Sequence, residues 1–343
     1  MVDNLSNLSL IVIFLFSSGI IWFVGVKITH IIDFITVHFG LGEAFGGMIL
    51  LTIITNLPEV AITLVASIKH DYDIAISNII GGIAIQTVVL VAIDIIGVGR
   101  KAPLTWKGHS RVLILEGISL IFILALVIIG KQFEGHFDQA FASPVEYLIV
   151  FIWTTSVYLL AKLGLKEAQD KELIKVHHAR NPKKHFRGSP TMAIILTILG
   201  AILILIAGVT LEMSGTKLSN HFGINGVLFG GTILALCTAL PEISTGIASA
   251  KIRDYNMAVS DIFGGNAFLP VLFFFASFLN GSSVLSHLSA SNIYLACLGI
   301  ILTGIYLVGM VLPSSKQIWR MGKDSLLVLI VYLIGLIGLW IIS

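Results

Sequence analysis

Two stretches of this chain are copies of one another, and that duplication restricts the fold more than any other feature. Residues 39–84 read FGLGEAFGGMILLTIITNLPEVAITLVASIKHDYDIAISNIIGGIA, and residues 222–267 read FGINGVLFGGTILALCTALPEISTGIASAKIRDYNMAVSDIFGGNA. They align without a gap at a constant offset of 183, with sixteen identities in forty-six positions. Shared hydrophobicity cannot explain the matched Thr55/Thr238, Pro58/Pro241, Glu59/Glu242, Asp71/Asp254, Tyr72/Tyr255 and Ser77/Ser260, or the glycine pairs Gly81-Gly82 and Gly264-Gly265.

The copies lie in a chain built almost wholly of apolar runs. Only 12% of its residues are charged, whereas about a quarter is usual for a soluble domain. A helix needs roughly 20 mostly apolar residues to cross a hydrocarbon core, and ten segments qualify: 8–26, 43–67, 74–98, 111–130, 144–163, 191–213, 224–250, 257–279, 287–312 and 324–342. The runs are continuous rather than alternating, which favours helices, and helices also satisfy their own backbone groups where water is absent. The first run lacks the basic flank and small-residue cleavage pattern of a signal peptide, so it is expected to be retained as a helix. Cys237 and Cys297 both sit inside apolar runs and suggest no disulfide framework. A formal net charge of +2 gives no reason to expect nucleic-acid binding.

Lys and Arg set the orientation. With the N-terminus outside, about eighteen of them fall on the inner side, and only Lys69, Lys131 and Lys217 on the outer. Both termini are therefore expected outside the cytoplasmic (plasma) membrane. The longest polar stretch, 166–190, is a basic cytoplasmic linker between halves 1–165 and 191–343. Its His177, His178 and His185 could in principle hold a metal or sense pH, but neighbouring lysines disfavour a cation there.

Each copy occupies the second and third spans of its half. Five is an odd number, so the second copy crosses the membrane in the opposite sense. The expected fold is an all-α membrane protein of about ten transmembrane helices in two inverted five-helix repeats. In transporters of this architecture the substrate site lies near mid-membrane, where the repeats meet.

Glu59 and Glu242 fall in the middle of their spans, where a carboxylate is costly and points to function. Brought together by the inverted repeat, they offer two charges and up to four oxygens, which suits one divalent cation. Ca²⁺ takes six to eight oxygens, so neighbours must contribute. Pro58 and Pro241 lack an amide hydrogen and kink their helices, freeing the carbonyls of Ile54 and Cys237. Thr55 and Thr238 lie one turn before the glutamates on the same face and can add hydroxyl oxygen. Asn56 is a further candidate, while its counterpart Ala239 offers nothing. The glycine pairs suit close helix approach, with direct backbone coordination the lesser reading.

The segments TNLPEV and CTALPEIS resemble the Gly-Thr-Ser-Leu-Pro-Glu signatures of sodium/calcium exchangers in the calcium/cation antiporter superfamily. SNIIGGIAIQ and SDIFGGNAFL resemble that family's Gly-Asn-x-x-Gly-Ser-Asn-x-x-Asn/Asp segments. The resemblance implies a sodium/calcium exchanger-like fold, with the second, third, seventh and eighth spans forming the ion site. It also implies exchange of Ca²⁺ against Na⁺ or H⁺ by alternating access. Several oxygen donors of the family pattern differ here. The Ser after Thr is Asn56 and Ala239, the Ser after Gly is Gly82 and Gly265, and the later Asn/Asp is Gln86 and Leu269. Asn56 is similar in place to the Asn of the Gly-Asn-x-x-Glu motif of proton/calcium exchangers.

The expected site thus comprises Glu59, Glu242, Thr55, Thr238, Asn56 and Gln86. Asp261, with Asn78 at the matching position, is read as a pathway or proton-relay residue, roughly 12 Å along the helix from Leu269 at ~1.5 Å per residue; a solvated helix-start residue is the alternative. Glu116 fits a bundle-facing hydrogen bond as well as a transport role. Asp94 and Glu212 are placed near span ends, within reach of water, and Glu43 at the mouth of the second span. The expected activity is secondary antiport of Ca²⁺ for Na⁺, with H⁺-coupled or monovalent-cation exchange by the same fold as the alternative. A channel lacks a repeated filter sequence, and an enzyme lacks a nucleophile with a base, a paired His/Glu metal motif or an ATP-binding loop. No cofactor is expected, and the partners are inorganic cations and membrane lipid, with no protein partner evident.

Overall fold

The computed structural model describes residues 6–39, 51–99, 102–133, 141–172, 186, 188–251 and 253–342. Glu43 and most of the linker, including its three histidines, lie outside the described residues. In the first half, α1 (Asn7–His38) precedes the short α2 (Leu51–Thr55) and α3 (Leu57–Ile68). Then α4 (Tyr72–Ala92) runs into a π-helical turn, Ile93–Val98, and α5 (Leu104–Lys107), α6 (Arg111–Gly130) and α7 (Pro144–Glu172) follow. The second half opens with α8 (Pro190–Phe222), then α9 (Gly226–Phe229), a π-helical turn Gly230–Leu234, α10 (Ala235–Thr238) and α11 (Leu240–Lys251). It continues with α12 (Tyr255–Phe268), α13 (Val271–Asn280), α14 (Ala290–Val311) and α15 (Lys323–Ile342), with one small hairpin, β1 (Gln317–Ile318) and β2 (Met321–Gly322), before α15.

Helix starts reproduce the sequence offset. Asn7 and Pro190, Leu57 and Leu240, and Tyr72 and Tyr255 each stand 183 apart; Arg111 and Ala290, and Pro144 and Lys323, stand 179 apart. The caps repeat as well. Asp71 accepts from the Ile74 amide and Asp254 from the Met257 amide, while Ser110 accepts from Leu113 and Ser289 from Asn292. A side-chain oxygen at this position satisfies an amide that the first helical turn leaves unpaired. The matched Asp71/Asp254 is therefore explained by capping. The residues just before them, His70 and Arg253, take left-handed backbone with φ of 58° and 67°. Each ends one helix so that the next can start within a few residues.

The inversion can be followed contact by contact along α1 and α8. Asn7 meets His221, Phe14 borders Gly215, Ile28 borders Gly200, and the Phe34 ring lies 5.1 Å from that of Phe186. As one chain number rises the other falls, so the two helices are antiparallel. Nine of the ten expected spans are found among the described residues, counting the bent pair α9–α10 with α11 as one. Of the second span, only the part from residue 51 is described.

α4 and α12 form the centre of the bundle and are buried on nearly every side. α7, α8 and α15 lie at the periphery with long apolar side chains exposed, among them Ile198, Leu199, Ile334 and Ile337. A water-soluble surface rarely carries such a continuous apolar patch, and these are the faces that meet lipid. At ~1.5 Å per residue, α1 and α8, of 32 and 33 residues, are longer than a bilayer core. Helices of that length tilt or project beyond it. Pro270 ends α12 and starts α13; Thr87 at the corresponding place in α4 keeps its amide, and α4 continues unbroken.

Two buried carboxylates clamp the ends of the bundle. Contrary to the expectation of water access, Asp94 has no exposed surface. It accepts from the Leu104 amide at 2.7 Å, the Gly322 amide at 2.7 Å and the Ser325 hydroxyl at 2.8 Å. On the opposite side of the bundle, Glu146 accepts from the Ser143 amide at 2.6 Å, Ser277 at 2.5 Å and Ser283 at 3.0 Å. The offsets of 183 and 179 pair Asp94 with Ser277 and Ser325 with Glu146. The same bond is thus made twice across the boundary between halves, with both acids in the first half and both serines in the second. Glu212, also expected to reach water, is buried and ion-paired with Lys69 of the other half at 2.7 Å.

Replacing Asp94 with Ala would strand two buried amides and a hydroxyl, each worth about 1–3 kcal/mol when unsatisfied. The expected result is a loss of about 3–5 kcal/mol, read as a lower unfolding midpoint of the purified protein. Ser325→Ala, which removes one donor to that carboxylate, should lower the midpoint by clearly less.

Candidate cation site

The site grows out of the two helix breaks. Pro58 and Pro241 have no amide hydrogen, so the carbonyls of Ile54 and Cys237, one turn earlier, lose their helical donor. The chain responds by ending α2 at Thr55 and restarting as α3 at Leu57, and by ending α10 at Thr238 and restarting as α11 at Leu240. In the second half the resulting bend is 43°. Glu59 and Glu242 therefore fall in the first turn of a new helix. There unpaired amides and the helix dipole favour a carboxylate. Thr55 and Thr238 close the preceding half-helices, whose carbonyl ends favour a cation.

The breaks are held together by reciprocal contacts between halves. Gly25 of α1 presses on Pro241, where an added Cβ would lie 3.0 Å from the proline Cβ. Gly208 of α8, its counterpart 183 residues on, presses on Pro58 and Ala61, where an added Cβ would lie 2.9 Å from the alanine Cβ. Each first helix thus covers the break of the opposite repeat.

Glu59 and Glu242 have no exposed surface and lie within electrostatic range of each other. The threonines cross over: Thr238 lies beside Glu59, and Thr55 beside Glu242. Gln86, from α4, donates its amide to Glu59 Oε1 at 3.2 Å. Asn56 donates to the Thr52 carbonyl at 2.8 Å and packs against Gly265. A Ser at 265, the residue of the resembled pattern, would crowd that amide. Gly82 faces Leu269 and Gly81 faces the backbone of Gly231, so the glycine pair of α4 serves close packing.

Asp261 is not a solvated helix-start residue. It is buried on α12, accepts from Thr245 at 2.6 Å, and lies within electrostatic range of Glu242. It is thus joined to the site through Thr245, one turn beyond Glu242, a link across two helices that distance along α12 alone could not reveal. Asn78 is fully buried with neither side-chain amide atom hydrogen-bonded, so no such bond joins it to the glutamates.

Several side-chain oxygens in and around this cluster are short of donors. Glu59 Oε2, both carboxylate oxygens of Glu242, Asn56 Oδ1, Gln86 Oε1 and Asp261 Oδ1 are buried without a hydrogen-bond donor. Buried acceptors are nearly always satisfied, so this is a set of oxygens suited to a positive charge. Among the described residues no three His, Cys, Asp or Glu side chains converge as a resident metal centre requires. An ion held here would draw on hydroxyl, amide and carbonyl oxygen beside the two carboxylates, a hard donor set that suits Ca²⁺ or Na⁺.

The family model described as sodium/calcium exchanger protein matches residues 8–161 and 192–340. The chain is 26% identical over 234 residues to the inner membrane protein YrbG of Escherichia coli (strain K12), covering 68% of each. It is 29% identical over 152 residues to sodium/potassium/calcium exchanger 1 of Gallus gallus, covering 42% of this chain and 21% of that one. Its fold is similar to that of the sodium-calcium exchanger NCX_Mj, with a TM-score of 0.62 at 19% identity over 97% of this chain and 99% of the other. A family model that spans nearly all of both halves leaves one conclusion: the chain belongs to the sodium/calcium exchanger protein family, whose members are membrane transporters of cations and not enzymes.

Proposed function

We propose that this antiporter exchanges Ca²⁺ for Na⁺ by alternating access, with the ion bound between Glu59 and Glu242 near mid-membrane. The observation that carries the reading is the crossed arrangement of the site. Each threonine lies beside the other repeat's glutamate, so a single ion placed there is gripped by both halves at once. Thr55, Thr238, Gln86 and the carbonyls freed by the prolines complete the shell, and Asn56 Oδ1 is available at its edge. Two carboxylates cancel the charge of one Ca²⁺, and Na⁺ ions occupying the same oxygens would displace it. An unloaded pair of carboxylates is costly to carry through a low-dielectric interior, so loaded forms cross and exchange is obligatory. Rocking of α1 and α8, each seated on the opposite repeat's break, would switch access from one side to the other.

Proton coupling is the second reading. Ala239, Gly82, Gly265 and Leu269 provide no side-chain oxygen where the resembled pattern has one, which leaves fewer ligands for Na⁺. A proton needs only the carboxylates. The halves 1–165 and 191–343, the cytoplasmic position of 166–190 and the external termini belong to the same proposal.

In proteoliposomes, Ca²⁺ uptake is expected to follow an imposed Na⁺ gradient at constant pH, and to vanish in Glu59→Gln and in Glu242→Gln. Uptake that follows only a pH gradient in sodium-free medium would transfer the coupling to H⁺. Undiminished flux in either glutamine variant would refute the site.

Gln86→Leu, which writes the residue of the other repeat into α4, removes one hydrogen bond to a charged group, worth about 1.5–3 kcal/mol. The KM for Ca²⁺ should rise about tenfold or more, with binding retained. Orientation is checked by cysteines placed singly in the linker and ahead of α1. An impermeant maleimide should label the first only from the cytoplasmic side and the second only from outside.

A further inference from the structure

A separate cavity of about 50 Å³ lies between α2, α6, α7 and α12; much of its wall is apolar, from residues such as Trp153 and Leu160, and Glu116, Ser119, Ser156 and Thr52 add a polar group of their own. Glu116 is 3% exposed. Its Oε1 accepts from Ser260 at 2.7 Å, whereas Oε2 has no donor. Ser156 donates to Ser119 at 3.0 Å. None of the described residues around the cavity is basic.

The inverted repeat supplies an internal control. At the offset of 179, Glu116, Ser119 and Ser156 correspond to Leu295, Leu298 and Gly335; at 183, Thr52 corresponds to Ala235. That half is filled with hydrocarbon: Leu295 abuts Gly231, and Leu298 abuts Gly335. Ser260, in contrast, has a serine counterpart in Ser77, which donates to the Asp73 carbonyl. The same frame therefore folds around leucine where the first half places a carboxylate, three hydroxyls and a cavity. Packing does not call for the polar set.

We propose that this cavity binds one monovalent alkali cation, Na⁺, through Glu116 Oε2 and the hydroxyls of Ser119, Ser156 and Thr52. One carboxylate with neutral hydroxyls cancels a single positive charge, while a divalent ion would leave a net charge in a low-dielectric interior. All donors are hard oxygens, and softer ions gain nothing from them. The volume exceeds what one water needs, roughly 10–15 Å³, so an ion with a water can be held. The site is distinct from the Glu59–Glu242 pair and does not rest on the coupling ion assigned there.

The test uses the full-length protein in detergent, carrying Glu59→Gln and Glu242→Gln to silence the central pair. Its unfolding temperature is followed as NaCl replaces choline chloride at constant ionic strength. A saturable rise with Na⁺ is expected to survive in this background and to disappear when Glu116→Gln is added. In the same background, Ser119→Ala with Ser156→Ala should move the Na⁺ midpoint up about tenfold, the equivalent of ~1.4 kcal/mol. Glu116→Leu with Ser119→Leu and Ser156→Gly copies the filling of the second half, and should fold yet show no Na⁺ response. No Na⁺ response in the silenced background, a response that outlives Glu116→Gln, or a midpoint indifferent to the serines would each overturn the proposal. Failure of the central site would instead show as exchange that survives Glu59→Gln, a separate readout.

Discussion

Everything in this molecule turns on a missing hydrogen. Proline at 58 and at 241 deprives one carbonyl of its partner inside each of two membrane helices, and hydrocarbon offers no water to replace it. The chain accommodates this by breaking both helices at the same register. Each break creates a carbonyl end and an amide end within a few residues, and the glutamate that follows lands on the amide end, where its charge is tolerated. Without the break, two carboxylates in the middle of the bundle would be a severe liability. With it, they become the electrostatic centre around which α4 and α12 pack.

The two-fold frame explains why the breaks meet. α1 and α8 run antiparallel, and the glycine at matching places in each sits on the proline of the other repeat. Each glutamate has a threonine of the other half beside it, Thr238 by Glu59 and Thr55 by Glu242, so the two repeats are joined at the breaks. Against this shared geometry the departures from symmetry stand out. Gln86 bonds Glu59 through its side-chain amide while Leu269 has no polar side-chain atom; Asp261 bonds Thr245 while the side-chain amide of Asn78 is unpaired. A two-fold scaffold with unlike polar groups gives the two glutamates different surroundings.

Much of the fold was legible in the sequence because the copy is gap-free and the spans are apolar. The offset of 183 forecasts helix starts to the residue at Leu57/Leu240 and Tyr72/Tyr255. The pairing of Pro with Glu forecasts both breaks. What could not be read is anything that depends on which helices touch. The Asp94 and Glu146 clamps join segments hundreds of residues apart or with exchanged residue types, so neither periodicity nor the repeat marks them. Spacing along α12 places Asp261 far from Leu269, but its approach to Glu242 runs across to α11 and escapes a one-helix estimate. Glu116 reads as a lone acid near a span end until its two serines and the leucines of the other half are set side by side.

The clamps carry a lesson of their own. Asp94 with Ser325 and Ser277 with Glu146 are one contact written with opposite polarity. Both acids stand in the first half and both serines in the second, so each clamp ties the repeats together across their boundary with a single carboxylate and never sets two acids face to face.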